Sequence, residues 1–270
     1  ELHRMFPEAP IYTLFTNQQF VEQYFPQATI ISSWIQSIPG HKYFYRSLLI
    51  PLMAAAIESF DLSNFDLVIS SSPFFAKGII LRPQTKHLCY CYSPTRQLWD
   101  RNKPRESQNL FAGLGKHILR LWDRHAADRV DTFIAISNHV QERIGKYYHR
   151  EAEVIYPPLP SLAISGDMPS IKDYYLIISR LFPHKNVDIA IEAFNKLGYT
   201  LVIIGEGPEE KRLKKLAESN IKFLGYISDE QVAAYYQCAK AFIMPQEEDF
   251  GLTALESLSF GTPILALRKG

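Results

Sequence analysis

The fold is decided by the segment AFIMPQEEDFGLTALESLSFGTP, residues 241–263. Its first four residues predict a strand, the acidic residues predict a loop, and residues 252–259 predict a short helix that stops at Gly261-Thr262-Pro263. In open α/β folds, loops of this kind lie at the carboxyl edge of a parallel sheet, where ligands bind. Glu248 and Glu256 are therefore candidates for ligand contacts.

The bulk composition is that of a globular protein. The chain has 270 residues, of which 47% are hydrophobic and 21% are charged. This length suits about two domains of ordinary size. The formal net charge of +1 offers no polyanion-binding surface, so no nucleic-acid partner is expected.

The cysteines indicate neither a disulfide framework nor a metal centre. Cys89, Cys91 and Cys238 are too few and too badly spaced for either. We expect reduced thiols in a cytosolic protein. We expect Cys89 and Cys91 to lie on opposite faces of one strand and not to chelate a metal, and no metal site is expected elsewhere.

The sequence shows no signal-peptide pattern and no apolar run that could span a bilayer. Its longest apolar stretch, Ser47–Ile57, fits a core helix, with a helix on a membrane surface as the alternative. Tyr43, Phe44 and Tyr45 could dock a lipid acceptor with this stretch, although core packing explains them equally well. Because the chain starts at Glu1 rather than Met, and stops abruptly, we expect a fragment of a longer protein.

Short apolar runs alternate with amphipathic segments, which predicts mostly parallel sheets covered on both faces. In the first half, the predicted strands are Ile11–Phe15, Leu67–Ser71, His87–Tyr92, Thr132–Ile136 and Glu153–Tyr156. The longest helix is predicted over about residues 107–128, where the apolar residues at helical spacing are Leu110, Leu114, Ile118, Leu121 and Trp122.

The pattern breaks at residues 157–173, a segment with four prolines that predicts a linker. It restarts with predicted strands Tyr174–Ser179, Thr200–Gly205, Ile221–Leu224, Ala239–Met244 and Pro263–Leu267. The helices predicted between them are Val187–Leu197, Glu209–Ser219, Ser228–Cys238 and Leu252–Ser259. The fold class is therefore α/β, with two doubly wound, Rossmann-like parallel-sheet domains, residues 1–160 and 161–270, facing a cleft.

The loop after the strand at residue 174 carries two cations, Arg180 and Lys185. A guanidinium binds two phosphate oxygens at once and an ammonium adds a point charge, so the pair suits a diphosphate. The alternative is two solvated cations. In the next such loop, Gly205 and Gly207 form a Gly-x-Gly turn that could admit a phosphate, but the third glycine of a dinucleotide fingerprint is absent. A tight turn is the favoured interpretation there.

The helix after Phe250 begins at a glycine, so the backbone N–H groups of Gly251, Leu252 and Thr253 form a natural anion site. Glu248 and Glu256 flank that site, and carboxylates accept hydrogen bonds from vicinal sugar hydroxyls. An ordinary acidic loop is the alternative.

Two further groups follow strands of the first half. Arg96, in the segment Tyr92–Arg96, could reach a phosphate or an acceptor group across the cleft. Ser137 or Asn138 is most simply a helix cap, and Asn138 is also a candidate on the acceptor side together with Tyr92 and Arg96.

The chain resembles retaining glycosyltransferases of the GT-B fold, family 4, and among them the bacterial lipopolysaccharide and exopolysaccharide mannosyltransferases. The motifs that carry the resemblance are Ser179–Lys185, Gly205–Pro208, Phe223–Tyr226, Glu248–Glu256 and Gly261–Ile264, with Tyr92–Arg96 and Val154–Pro158 in the first half. The resemblance covers essentially the whole chain and is loosest over residues 1–85.

The resemblance implies a role for each matching position. Arg180 and Lys185 would hold the diphosphate of a nucleotide-sugar donor, Glu256 the ribose and Glu248 the sugar. The backbone of residues 250–252 would donate hydrogen bonds to the sugar and phosphate, and Tyr226 would lie near the base. Many relatives have a histidine at the position of Tyr92, and a tyrosine is not a cation near neutral pH.

The implied activity is retaining, metal-independent transfer of a sugar, mannose from GDP-mannose, to a glycan or lipid-linked saccharide. No cofactor is expected beyond the nucleotide diphosphate sugar as co-substrate. The expected location is the cytoplasm, with peripheral contact on the inner face of the cell membrane as an option. Two alternatives remain: a nucleotide-sugar epimerase of the same architecture, and a non-catalytic nucleotide- or glycan-binding subunit of a polysaccharide assembly.

Overall fold

The computed structural model describes residues 2–39, 50–100, 110–159 and 168–269. The chain forms two compact units, Glu1–Tyr156 and Pro157–Gly270. The division falls at the first proline of the segment predicted as a linker. Tyr43, Phe44 and Tyr45 lie outside the described residues, as does the first part of the apolar stretch Ser47–Ile57.

The first unit is built on parallel strands. The strands are β1 (Ile11–Thr13), β2 (Ile30–Ser32), β3 (Leu67–Ser72), β4 (Lys86–Cys91), β5 (Thr132–Ala135) and β6 (Ala152–Val154). The helices are α1 (Leu2–Met5), α2 (Gln18–Tyr24), α3 (Ile50–Glu58), α4 (Arg96–Trp99), α5 (Leu110–Asp128) and α6 (Asn138–Tyr148), with 3-10 turns at Trp34–Ser37 and Phe75–Gly78. Strands β3 to β6 form one sheet in sequence order, and β1 pairs with β2 in a second sheet.

The cysteines of β4 correct one prediction. Cys89 and Cys91 lie on the same face of the strand, not on opposite faces, because alternate residues of a strand share a face. Both are buried free thiols in the covered sheet. They therefore contribute packing rather than solvent-facing chemistry.

Helix α5 occurs where the sequence predicts it, but several of its apolar residues are exposed. Leu114, Ile118 and Leu121 are each exposed by 50% or more. The buried side of the helix instead carries Asp123 and Ala126, both fully covered. Apolar spacing thus identified the helix correctly, but of the described apolar residues at that spacing only Trp122 packs against the core.

The described end of the long apolar stretch belongs to α3. Ala54, Ala56 and Ile57 are buried in it, which fits the core-helix interpretation for these residues. Within the described parts of the chain, no helix is both long and apolar enough to cross a membrane.

The second unit contains the strands β7 (Tyr174–Ile178), β8 (Thr200–Ile204), β9 (Ile221–Gly225), β10 (Ala241–Met244) and β11 (Ile264–Ala266). Its helices are α7 (Val187–Leu197), α8 (Glu210–Leu216), α9 (Asp229–Cys238) and α10 (Leu252–Ser259), with a 3-10 turn at Pro183–Lys185. Each strand and α-helix overlaps a predicted one, and α7 and α10 match residue for residue, whereas the 3-10 turn was not predicted. A capping box, in which Ser228 and Gln231 exchange hydrogen bonds, starts α9 as the sequence predicts.

The sheet of the second unit has the parallel order β11-β10-β7-β8-β9. One apolar layer packs α7 and α8 on Ile177, Leu201 and Ile203. The opposite layer includes Tyr174, Leu176, Val202, Ile204, Tyr236 and Phe242. Because both faces are covered, the strands are almost continuously apolar. The chain builds outward from β7 in one direction and then in the other, so the strand order reverses between β7 and β10.

Candidate functional site

The reversal point brings two loops of the second unit together. Strands β7 and β10 are hydrogen-bonded neighbours, and both loops leave the sheet at its carboxyl edge. In an open α/β sheet, this point is where a crevice for a ligand forms. The predicted residues Arg180 and Lys185 lie in the first loop, and Glu248 lies in the second.

The loop after β7 is hydrogen-bonded to the backbone at the end of β8 and in the loop that follows it. The N–H of Ser179 donates to the carbonyl of Ile204 at 3.0 Å, and the N–H of Leu181 donates to the carbonyl of Glu206 at 2.9 Å. The side chain of Leu181 is fully buried, whereas that of the intervening Arg180 is exposed. The loop is therefore anchored on both sides of the cation that it presents.

Gly205 and Gly207 are required by close packing of these two loops. A Cβ on Gly205, where φ is +122°, would lie 2.1 Å from the carbonyl oxygen of Ser179. A Cβ on Gly207 would lie 2.3 Å from the carbonyl oxygen of Leu181. Real side chains do not approach a backbone this closely. The Gly-x-Gly pattern is thus explained by loop packing, in line with the tight-turn interpretation.

Replacing Gly207 by alanine is expected to push the 179–181 backbone away and to lower the free energy of unfolding by about 1–3 kcal/mol. Denaturant unfolding measures this loss. Gly145→Ala is the control, because a Cβ at that helical glycine meets nothing within 4 Å and alanine favours a helix by about 0.5–1 kcal/mol. Equal effects of the two substitutions would contradict the packing role of Gly207.

The two loops are joined by side chains. The Lys185 ammonium forms an ion pair with Glu248 Oε1, and both side chains are largely covered. Gln246, itself buried, donates from Nε2 to the same carboxylate oxygen at 3.0 Å. Asn186, at a left-handed φ of 51°, extends its amide to within 3.5 Å of the carbonyl of Pro245. Lys185 and Glu248 are therefore fixed next to each other.

Helix α10 begins beside these loops, and Thr253 in its first turn lines the same cavity as Lys185 and Glu248. Its N-cap is Gly251, at φ +83°, which has no side chain to satisfy the N–H groups that begin the helix. Those N–H groups carry the positive end of the helix dipole and favour an anion.

Glu256 lies in the second turn of α10 and accepts a hydrogen bond from the Tyr236 hydroxyl at 2.9 Å. Burial raises the pKa of the Glu256 carboxyl above its ordinary value. The Tyr236 hydrogen bond lowers that pKa, and the charge of Asp229 raises it. Burial and the neighbouring Glu256 also raise the pKa of Tyr236, so its hydroxyl stays protonated and donates.

Several of the residues described above line one cavity of about 580 Å³. Seven of the predicted site residues are in its lining, namely Arg180, Lys185, Gly205, Tyr226, Glu248, Thr253 and Glu256. Of the described residues predicted for this site, the four that do not line it are Gly207, Phe250, Gly251 and Leu252. Prediction from sequence missed Ser179, Glu206, Asp229 and Gln246, which also line the cavity. Each follows the carboxyl end of a strand, and that position was the available signal.

The predicted acceptor-side residues lie in the first unit. Tyr92 follows β4, is 38% exposed, and its hydroxyl is 2.9 Å from the hydroxyl of Ser71. Arg96 opens the short helix α4. Ser137 is the cap of α6, since its hydroxyl accepts from the N–H of Val140, and Asn138 is the exposed first residue of that helix.

A buried polar network holds the segment between Tyr92 and Trp99 in place. Asp123, fully buried in α5, accepts hydrogen bonds from Lys77 at 2.5 Å and from Thr95 and Trp99 at 2.8 Å each. The hydroxyl of Tyr148 donates to the same carboxylate at 2.8 Å. Four donors compensate the buried charge, which makes this network a rigid support for the loop after β4.

The structure offers no evident metal centre in the part of the chain that it describes. Among those residues, no group of three or more His, Cys, Asp or Glu side chains is placed to hold an ion.

The fold and the site define an α/β protein with a crevice lined by cationic and acidic side chains at the reversal point of a parallel sheet. The chain belongs to Glycosyltransferase Family 4, whose family profile matches residues 10–160. A second profile, Glycosyl transferases group 1, matches residues 166–270.

Among curated relatives, an uncharacterized glycosyltransferase of Methanocaldococcus jannaschii is 26% identical over 56% of this chain and 44% of its own length. The O-antigen chain mannosyltransferase B of Escherichia coli is 32% identical over 55% of this chain and 39% of its own length. The chain thus spans less than half the length of these relatives.

Solved structures support the fold. HepE of Anabaena, crystallised in complex with UDP, aligns with a TM-score of 0.59 at 16% sequence identity, over 94% of this chain and 70% of that one. Two parallel-sheet α/β units with GT-B neighbours confirm the predicted fold class.

Proposed function

We propose that the cavity of the second unit binds a nucleotide diphosphate sugar, and that the complete protein transfers the sugar to a saccharide acceptor. One observation carries this proposal. Arg180 and Lys185 from the loop after β7, and Glu248 and Glu256 from the segment after β10, line the same cavity. Its volume of about 580 Å³ lies within the usual range for small-molecule sites.

The cationic side of the cavity suits the diphosphate. Arg180 can bind two phosphate oxygens and Lys185 adds a point charge. Thr253, in the first turn of α10, lines the same cavity, so the positive end of that helix is assigned to the diphosphate as well. When the bond to the sugar breaks, negative charge grows on the departing diphosphate. Groups that are already in position stabilise this charge without having to reorganise.

The acidic side suits the hydroxyl groups of the donor. Glu256 is assigned to the ribose and Glu248 to the sugar, since each carboxylate can accept from two hydroxyls. Tyr226, 76% exposed at the end of β9, is assigned to the base.

The Lys185–Glu248 ion pair fits a site that exchanges its internal partners for ligand groups. A bound donor would offer a phosphate to Lys185 and a sugar hydroxyl to Glu248, so neither charge would lose its compensation. Arg180, Lys185 and the helix dipole are assigned the positive charge that the leaving group needs, and we therefore propose a metal-independent transfer. Retention of the anomeric configuration is proposed from the resemblance to retaining family 4 enzymes.

GDP-mannose is the proposed donor and mannose the transferred sugar, in line with the mannosyltransferase of E. coli among the relatives. The proposed acceptor is a glycan or a lipid-linked saccharide, with Tyr92, Arg96 and Asn138 on the acceptor side. For a lipid-linked acceptor, we propose that the protein is cytoplasmic and contacts the membrane surface peripherally.

The test is a transfer assay with the complete protein. GDP-mannose and other nucleotide sugars are incubated with saccharide acceptors, with and without EDTA, and the products are read by mass spectrometry and NMR. Mannose transfer with retained anomeric configuration, undiminished by EDTA, is the expected result. Isomerised donor in the absence of acceptor would instead identify an epimerase, and donor binding without turnover would identify a non-catalytic subunit.

A further inference from the structure

Tyr236 is the buried partner of a carboxylate that lines the cavity. Its side chain is fully covered, yet its hydroxyl donates to Glu256 Oε2 at 2.9 Å. Tyr236 lies behind Glu256 and outside the lining that the described residues form. A buried tyrosine hydroxyl needs a hydrogen-bond partner, and for Tyr236 that partner is a carboxylate that lines the cavity.

The ring of Tyr236 has little freedom to move. It stacks on Phe260 at an interplanar angle of 10° with ring centroids 5.9 Å apart, and it contacts Phe242 at 5.6 Å. Its backbone carbonyl accepts from the hydroxyl of Thr262 at 2.5 Å. Because the ring and backbone are both fixed, the hydroxyl donates to the Glu256 carboxylate from a fixed position.

We propose that Tyr236 is a positioning residue of the donor site, which orients Glu256 so that the carboxylate can accept hydrogen bonds from ligand hydroxyls. This inference rests on the proposed function, because it assigns Tyr236 a role through Glu256. The phenol proton occupies one acceptor site on Oε2, which leaves Oε1 and the remaining lone pairs available to ligand hydroxyls. The hydrogen bond also favours the ionised carboxylate, which is the better acceptor.

The pH dependence has a definite sign. Burial raises the pKa of Glu256 and the Tyr236 hydrogen bond lowers it, so removing the hydroxyl moves the pKa further up. If donor binding requires the ionised carboxylate, then on lowering the pH the variant without the hydroxyl loses affinity at a higher pH than the wild type does. The other titratable or charged groups that line this cavity are Arg180, Lys185, Glu206, Tyr226, Asp229 and Glu248, and all of them remain in place.

The experiment compares Tyr236→Phe with Tyr174→Phe in the complete protein. Tyr174 is also fully buried in the same apolar layer, and its hydroxyl donates to the carbonyl of Tyr235 at 2.8 Å, away from the cavity. Each variant loses one buried hydroxyl. Binding of GDP-mannose and GDP is titrated calorimetrically from pH 5 to pH 8, and thermal melting reports the stability of each variant.

Tyr236→Phe is expected to raise the donor dissociation constant about tenfold near neutral pH, and to shift the acid limb of the affinity profile to higher pH. Tyr174→Phe is expected to lower the melting temperature similarly while leaving both binding readouts unchanged. Equal binding by the two variants, or an acid limb that does not move in Tyr236→Phe, would overturn the inference.

Glu256→Gln separates this inference from the proposed function. If Glu256→Gln weakens donor binding while Tyr236→Phe does not, the site stands and Tyr236 has only a packing role. If Glu256→Gln binds the donor as tightly as the wild type, the ribose role of Glu256 fails, and the inference about Tyr236 fails with it.

Discussion

Replacing Asp123 by alanine is expected to lower the free energy of unfolding by about 3–5 kcal/mol. The reason is the charge that remains. Lys77 is 3% exposed, and its ammonium would be left buried without the carboxylate that lies 2.5 Å away. Thr95, Trp99 and Tyr148 would each lose an acceptor in the same step. Denaturant unfolding of wild type and variant measures the loss.

Asp128→Ala is the matched control on the same helix. At the surface, Asp128 forms an ion pair with Arg124, which lies one turn earlier in α5. Exposed pairs of this kind contribute about 0.3–0.5 kcal/mol to stability. The double variant Lys77→Met with Asp123→Leu removes both charges, so it is expected to recover the part of the loss that comes from the unpaired ammonium. It still leaves Thr95, Trp99 and Tyr148 without their acceptor, so it is expected to remain less stable than wild type. If the Asp123→Ala and Asp128→Ala variants were equally stable, the buried network would not contribute the free energy of unfolding that we expect of it.

Replacing Lys185 by alanine is expected to lower kcat/KM for sugar transfer by about 100-fold. The ammonium is assigned to the departing diphosphate, so its loss removes stabilisation that grows in the transition state. The variant also leaves Glu248 without its ion-pair partner in the free protein. Steady-state kinetics with the complete protein measure the change, and a fall in kcat as well as in affinity is expected.

Lys240→Ala is the control for this substitution. Lys240 belongs to the same unit and pairs with Asp173 at 2.9 Å, but both side chains are at least half exposed and neither lines the cavity. Transfer by this variant is expected to equal that of the wild type. If both lysine variants lost activity equally, net charge rather than a specific contact would explain the effect of Lys185.

The sequence predicted the second unit well because its signals are local. Alternating apolar runs and helix caps are set by neighbouring residues, as the capping box at Ser228 illustrates. The gathering of Arg180, Lys185, Glu248 and Glu256 in one place also followed from a general rule, since the carboxyl ends of parallel strands meet at one edge.

The features that the sequence did not predict depend on contacts between residues that are far apart in the chain. The partnership of Tyr236 with Glu256 joins two helices, and the packing of Gly207 against Leu181 joins two loops. The buried face of α5 could not be read from hydropathy, because a charged residue, Asp123, is buried there while Leu114 is exposed. Each of these features appears only when the chain is folded.

The most direct test of the central claim is calorimetric titration of the complete protein with GDP and GDP-mannose, with UDP as the comparison. Wild type is expected to show saturable one-site binding of the guanine nucleotides. The double variant Arg180→Ala, Lys185→Ala is expected to lose that binding while keeping its fold by circular dichroism. A wild type that binds no nucleotide diphosphate, or a double variant that binds as tightly as wild type, would contradict the donor site proposed for the second unit.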